Sequence, residues 1–210
     1  MMKVVSGLLA LSIAASAKAE TIAQVDLAKP PLASPAPADA MIVLRAHAPG
    51  MVGDNRISFY RWDAARQALE LDAQGRPREV RLTYSYSLFG GKKGERALRV
   101  AIVPAGDYVL GSRTFNANYT DTFCLGAPRF TLAAGETAYV GEYEMFALEK
   151  MADGERRNAM RYATDLEGAR GALRAAYPDR AASMRLWEPV DGATFACVGD
   201  EFLAYALPRR

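Results

Sequence analysis

Residues 98–112, LRVAIVPAGDYVLGS, and residues 124–143, CLGAPRFTLAAGETAYVGEY, each join two apolar, alternating runs through an Ala-Gly-acid phrase. In VPAGDY and LAAGET the glycine stands where a tight connection between antiparallel strands often needs positive φ, which only Gly adopts without steric cost. Two hairpins of similar build are expected. Beyond the second, Tyr139, Gly141, Tyr143 and Met145 are expected on one side of a strand, with Glu142 and Glu144 on the other.

The period of two extends outward from these phrases, over residues 41 to about 149. MIVLRA (41–46) opens it and RISFYRW (56–62) follows after a Pro-Gly and Gly-Asp-Asn loop. In REVRLTYSYSLF, the side chains of Val80, Leu82, Tyr84, Tyr86 and Leu88 share one face, while Arg81, Thr83, Ser85 and Ser87 take the other. That is the pattern of a half-buried strand. Gly90, Gly91 and Gly94 then turn the chain, and Leu98, Val100 and Ile102 resume the alternation. Short strands separated by turn signals predict a mainly β fold, an antiparallel β-sandwich.

The order apolar strand, Pro-Ala-Gly-Asp-Tyr, strand, then Ala-Gly-Glu-Thr-Ala-Tyr-Val-Gly resembles the prealbumin-like, or carboxypeptidase-regulatory-like, β-sandwich modules of bacterial envelope proteins, over roughly residues 98–146. The chain departs from that pattern at Ala105, between Pro104 and Gly106, and in its 113–128 insertion carrying Cys124. The resemblance implies a sandwich with a non-catalytic habit and assigns no catalytic residue.

Past Lys150 the period changes. Thr164-Asp165-Leu166-Glu167 fits a capping box with Thr164 at the cap. Leu166, Ala169, Leu173, Ala176 and Tyr177 then recur at helical spacing until Pro178, where a second short helix begins. TFACV and FLAYAL read as two final strands. A helical insertion over about residues 151–186 of a single domain, 41–210, is the expected organisation.

The first residues, MMKVVSGLLALSIAASAKAE, have the basic start, apolar stretch and small-x-small end of a secretory signal peptide over residues 1–19, cut after Ala19. The apolar stretch is shorter than the roughly 20 residues that span a bilayer, and no later segment is long enough, so no transmembrane segment is expected after cleavage. Residues 20–40, with Pro30, Pro31, Pro35 and Pro37, read as an extended tether. Periplasm or external medium is the expected destination.

The 26 Lys plus Arg and 24 Asp plus Glu become 24 against 24 once Lys3 and Lys18 leave with the signal. A chain this close to neutral is not built for nucleic acid. In an oxidising compartment Cys124 and Cys197, the only two cysteines, are expected to pair.

Chemistry finds little to work with. His47 is the only imidazole, so any His-dependent nucleophilic site would have to use it. If both cysteines are bridged, no thiolate is left for catalysis or zinc. Asp191, Asp200 and Glu201 lack calcium-loop spacing, and FGGKKGE lacks the phosphate-loop order. Glu142 and Glu144, at i and i+2 on an exposed strand face, are the carboxylate pair on which a hydrolase would draw. No catalytic residue, metal site or cofactor is expected.

The aromatic residues are expected mainly in the sandwich core. The segment SRTFNANYTDTFC (112–124), polar and aromatic beside the expected disulfide, is the candidate binding surface, through Phe115, Asn116, Asn118, Tyr119 and Phe123. The expected partner is a protein or a cell-envelope component. A periplasmic inhibitor of a lytic enzyme or protease, using the same segment, and a carboxylate-dependent hydrolase are the alternative functions.

Overall fold

A computed structural model describes residues 23–25, 27, 32–47, 53–86, 97–115, 119–123, 125–150 and 152–194. The central strand of its first sheet shows why a sandwich forms. In β2 (Asp39–His47), Ala40, Ile42 and Leu44 face the second sheet while Met41 and Val43 face two helices, and all five are fully buried. A strand covered on both sides needs the unbroken apolar run that MIVL supplies.

The first sheet has the order β1 (Ala23–Val25), β6 (Ala97–Pro104), β2, β10 (Thr137–Lys150), β11 (Arg156–Ala163), with β12 (Arg185–Leu186) also on β10. The second has the order β13 (Val190–Thr194), β9 (Leu125–Leu132), β7 (Gly106–Phe115), β3 (Gly53–Asp63), β4 (Ala68–Leu69). In the second sheet β5 (Glu79–Tyr86) also pairs with β3, and β8 (Tyr119–Thr122) with β7. Their facing sides share one core that includes Phe59, Leu82, Tyr108, Phe130, Leu132 and Val140. The protein is a β-sandwich with a small helical part.

The two Ala-Gly phrases are not hairpins. Strand β6 belongs to the first sheet and β7 to the second; β9 belongs to the second and β10 to the first. Each phrase is a corner at which the chain changes sheets, so its two apolar runs bury against one another across the core instead of pairing edge to edge. Gly106 and Gly135 take φ of +142° and +77° at these corners. The registers Asp39↔Pro104, Met41↔Thr137 and Gly106↔Leu132 bring both corners to one end of the sandwich. There the Tyr108 hydroxyl donates to Pro104 O at 2.6 Å and Arg61 Nη1 donates to Ala105 O at 2.9 Å. Arg180 donates to Gly135 O and to Asp39 O.

The expected helical insertion is partly strand. Residues 156–163 form β11, a hairpin partner of β10, because the Ala152-Asp153-Gly154 turn sends the chain straight back along it. Helices α1 (Leu166–Arg174) and α2 (Pro178–Ser183) follow, and Ala169, Leu173, Tyr177, Ala181 and Met184 press onto Met41, Val43, Val100, Ile102 and Tyr139. The cap of α1 is Asp165 rather than Thr164: its carboxylate accepts from Gly168 N at 2.9 Å. Glu167 does not reach back in a capping box but pairs with Arg170 at 2.5 Å.

Both long sides of the sandwich are closed. On one, the Gln24 carboxamide donates to Thr83 O at 2.9 Å and accepts from Thr83 N at 3.2 Å, so a side chain of β1 mimics the peptide group that would extend β5. Residues 23–25, expected in the tether, are thus an edge strand with Val25 buried. On the other side Trp187 packs edge-on against Phe130, with ring centres 5.1 Å apart, and donates to the Tyr162 hydroxyl at 2.9 Å. The expected signal peptide, Cys124, Cys197 and FLAYAL lie outside the described residues.

Candidate functional site

The two outer faces of the sandwich differ. That of the first sheet lies beneath α1 and α2, whereas no described helix lies on that of the second. There the polar positions of four strands meet. Cross-strand registers align Arg81, Ser58, Ser112 and Thr122 in one row and Thr83, Arg56, Thr114 and Thr120 in the next. A register shift beside Gly111 keeps Ser112 opposite Ser58. The Tyr60 ring lies over that glycine so closely that a Cβ would stand 2.0 Å from it.

This face has two tiers. The floor is short hydroxyl side chains, Ser58, Ser112 and Thr114, all buried. Each holds a longer side chain. Ser58 donates to Glu79 Oε1 at 2.5 Å, and the Ser112 side chain bonds the Tyr60 hydroxyl. Thr114 Oγ1 accepts from Arg56 Nε at 2.9 Å and shares a 3.0 Å hydrogen bond with Thr120 Oγ1. Arg81 grips Glu79 through Nη2 at 2.6 Å and Nε at 3.2 Å. Burial pushes the Glu79 carboxyl up, but the bonds from Arg81 and Ser58 outweigh it and hold the group below its ordinary range. Burial raises the Tyr60 phenol, against the Ser112 bond.

The candidate surface identified from sequence adjoins this face. Here β7 pairs antiparallel with β8, in the register Ser112↔Thr122, Thr114↔Thr120, Phe115↔Tyr119. Phe115 and Tyr119 are register partners in the last described pair of the arm; their side chains, with Asn116 and Asn118, lie outside the described residues. Phe123 returns to the base of the arm, half-buried, donating from its backbone to Gly111 O at 2.7 Å with the Arg113 guanidinium 5.8 Å from its ring centre. Sequence reading reached the arm but missed Arg56, Ser58, Glu79 and Arg81. Their signal was the polar half of the alternation in RISFYRW and REVRLTYS, where only the apolar half had been weighed.

Other candidates fare differently. Of the aromatic rings, expected mainly in the core, Phe59, Tyr60, Trp62, Tyr108, Tyr139 and Tyr143 are all buried. Glu142 does not project to solvent: it is 6 % exposed. Gly141, with φ +105°, sits in a bulge where β10 advances three residues against two on β2, which puts Tyr139 and Glu142 together on the helix-covered face. Arg45 lies between Glu142 at 3.7 Å and Asp165 at 3.4 Å, pinning α1 to the sheet. Burial pushes the Tyr139 phenol up to about 12 and that of Tyr143 further still. His47 ends β2; its side chain lies outside the described residues. Among the described residues no three His, Cys, Asp or Glu side chains gather into a metal site, and no helix is long and apolar enough to cross a membrane. The chain matches no family model, and no curated protein or solved structure matches it.

Proposed function

We propose that this chain is a non-enzymatic binding module of the bacterial envelope, exported on a cleaved signal peptide, built on a prealbumin-like sandwich and working through the helix-free face of its second sheet and the adjoining β7–β8 arm. The observation that carries this reading is the two-tier polar network, in which buried hydroxyls hold Arg56, Glu79 and Tyr60 in place beside an arm that bears Phe115 and Tyr119. Side chains fixed before an encounter lose little entropy on contact, which favours recognition. The Glu142 of the possible hydrolase pair is held under α1, which favours binding over hydrolysis. Crosslinked pull-down from native envelope tests the proposal: the Phe115→Ser, Tyr119→Ser double variant should lose the captured partner while keeping the wild-type melting temperature. Equal capture by the variant would remove the arm from the site.

The inhibitor reading draws on the same arm, whose paired strands β7 and β8 are held together by the Thr114–Thr120 bond. Saturable inhibition of a lysozyme or peptidase panel would favour it.

A further inference from the structure

We infer that the helix-free face of the second sheet takes an acidic polysaccharide, through carboxylates held by Arg56 and Arg81; the inference rests on reading that face as the binding surface. Charge complementarity points this way. Glu79 is the carboxylate of the network, and it is already engaged by Ser58 and Arg81. Among the described residues Arg56 bonds only through Nε, to Thr114, and makes no ion pair. Its two terminal amines, a planar fork suited to a carboxylate, are thus oriented by a buried hydroxyl and taken by no described residue. Arg81 is half-exposed, with a side-chain exposure of 49 %, and stands diagonally from Arg56, because Ser58 is its cross-strand partner. At strand spacings the two guanidinium-bearing backbones are roughly 8 Å apart.

Around these cations the outer groups are hydroxyls, Thr83, Thr120 and Thr122, which donate to and accept from sugar hydroxyls. The rings of Tyr60 and Trp62, the described aromatics of the sheet face itself, are buried and offer no platform for stacking on a neutral sugar face. Net positive charge on a hydroxyl-rich plate suits a chain that is itself hydroxyl-rich and negatively charged.

Affinity electrophoresis of the exported chain through gels containing polygalacturonate, with dextran and polyphosphate gels as controls, tests the inference. Polygalacturonate should retard the wild-type protein more than either control, with the effect weakening as salt rises. Arg56→Gln and Arg81→Gln should each weaken it about tenfold, and Arg56→Lys should restore it only in part because a point charge replaces the fork. A single cooperative thermal transition in each variant would show that the variants fold. No retardation by polygalacturonate, equal retardation of Arg56→Gln, or polyphosphate retardation as strong as that by polygalacturonate would overturn the inference. If pull-down of an envelope partner still depended on Phe115 and Tyr119 in that event, the binding reading would survive and only the glycan would fall.

Discussion

Glu79 shows how one residue carries both stability and the proposed surface. Its carboxyl is held below the ordinary range in the folded chain, so its contribution is present above the unfolded-state pKa and is lost as pH falls through the folded value. Glu79→Gln should cost about 1 kcal/mol near neutral pH, a figure discounted for the exposure of Arg81. The deficit should shrink as urea denaturation is repeated at progressively lower pH. A deficit that does not change with pH would mean that the Ser58 and Arg81 bonds do not favour the ionised form. Gly141 is the other telling position. Alanine there would combine a left-handed φ with a Cβ about to collide with the Tyr162 ring, and Gly141→Ala should destabilise by about 2–3 kcal/mol. A melting temperature equal to wild type would show that the bulge is not needed. Nothing in the YVGEYE pattern distinguishes a bulge from plain alternation, which is why Glu142 was expected in solvent.

At the scale of elements, the legible part was what depends on near neighbours in sequence. The alternation of Val80 and Leu82 against Arg81 and Thr83 specified β5, and the 3.6 spacing of Ala169 and Leu173 specified the buried stripe of α1. Sheet membership was not legible, because VPAGDY reads the same whether its strands pair or face one another across a core. RRNAMRYA carries no apolar alternation, so β11 owes its form to the turn before it and to pairing with β10. The closures of the two sides were also hidden, since each joins residues far apart in the chain. Trp187→Ala should cost about 3–5 kcal/mol by emptying the space against Phe130, whereas Trp187→Phe, which keeps an aromatic ring there but loses the bond to Tyr162 and part of the ring volume, should cost less, about 1–2 kcal/mol. Chemical denaturation of the two variants measures both; equal losses would mean that the ring does not fill the core. Gln24→Ala should speed hydrogen exchange at the Thr83 amide specifically, as that amide donates to Gln24. Unchanged protection there would detach β1 from the second sheet.

For the whole molecule, the strand pairing gives the expected disulfide a physical route. Leu125 and Thr194 are register partners on β9 and β13; Cys124 immediately precedes the one and Cys197 follows the other by three residues. Alkylation of the exported, unreduced protein should add no label, and two adducts on the folded chain would exclude the bridge. If formed, it closes a loop of more than seventy residues, a constraint on the unfolded chain of up to about 4 kcal/mol in the chain-entropy view. One outer face of the sandwich is packed beneath helices and the other carries the guanidinium, carboxylate and hydroxyl groups of the proposed surface. Hydrogen exchange read by mass spectrometry, with and without a solubilised native envelope fraction, tests that division of labour most directly. Slowed exchange across residues 56–60, 79–83 and 112–122, with residues 166–183 unaffected, is the predicted footprint. Protection confined to the two helices, or none anywhere, would contradict it.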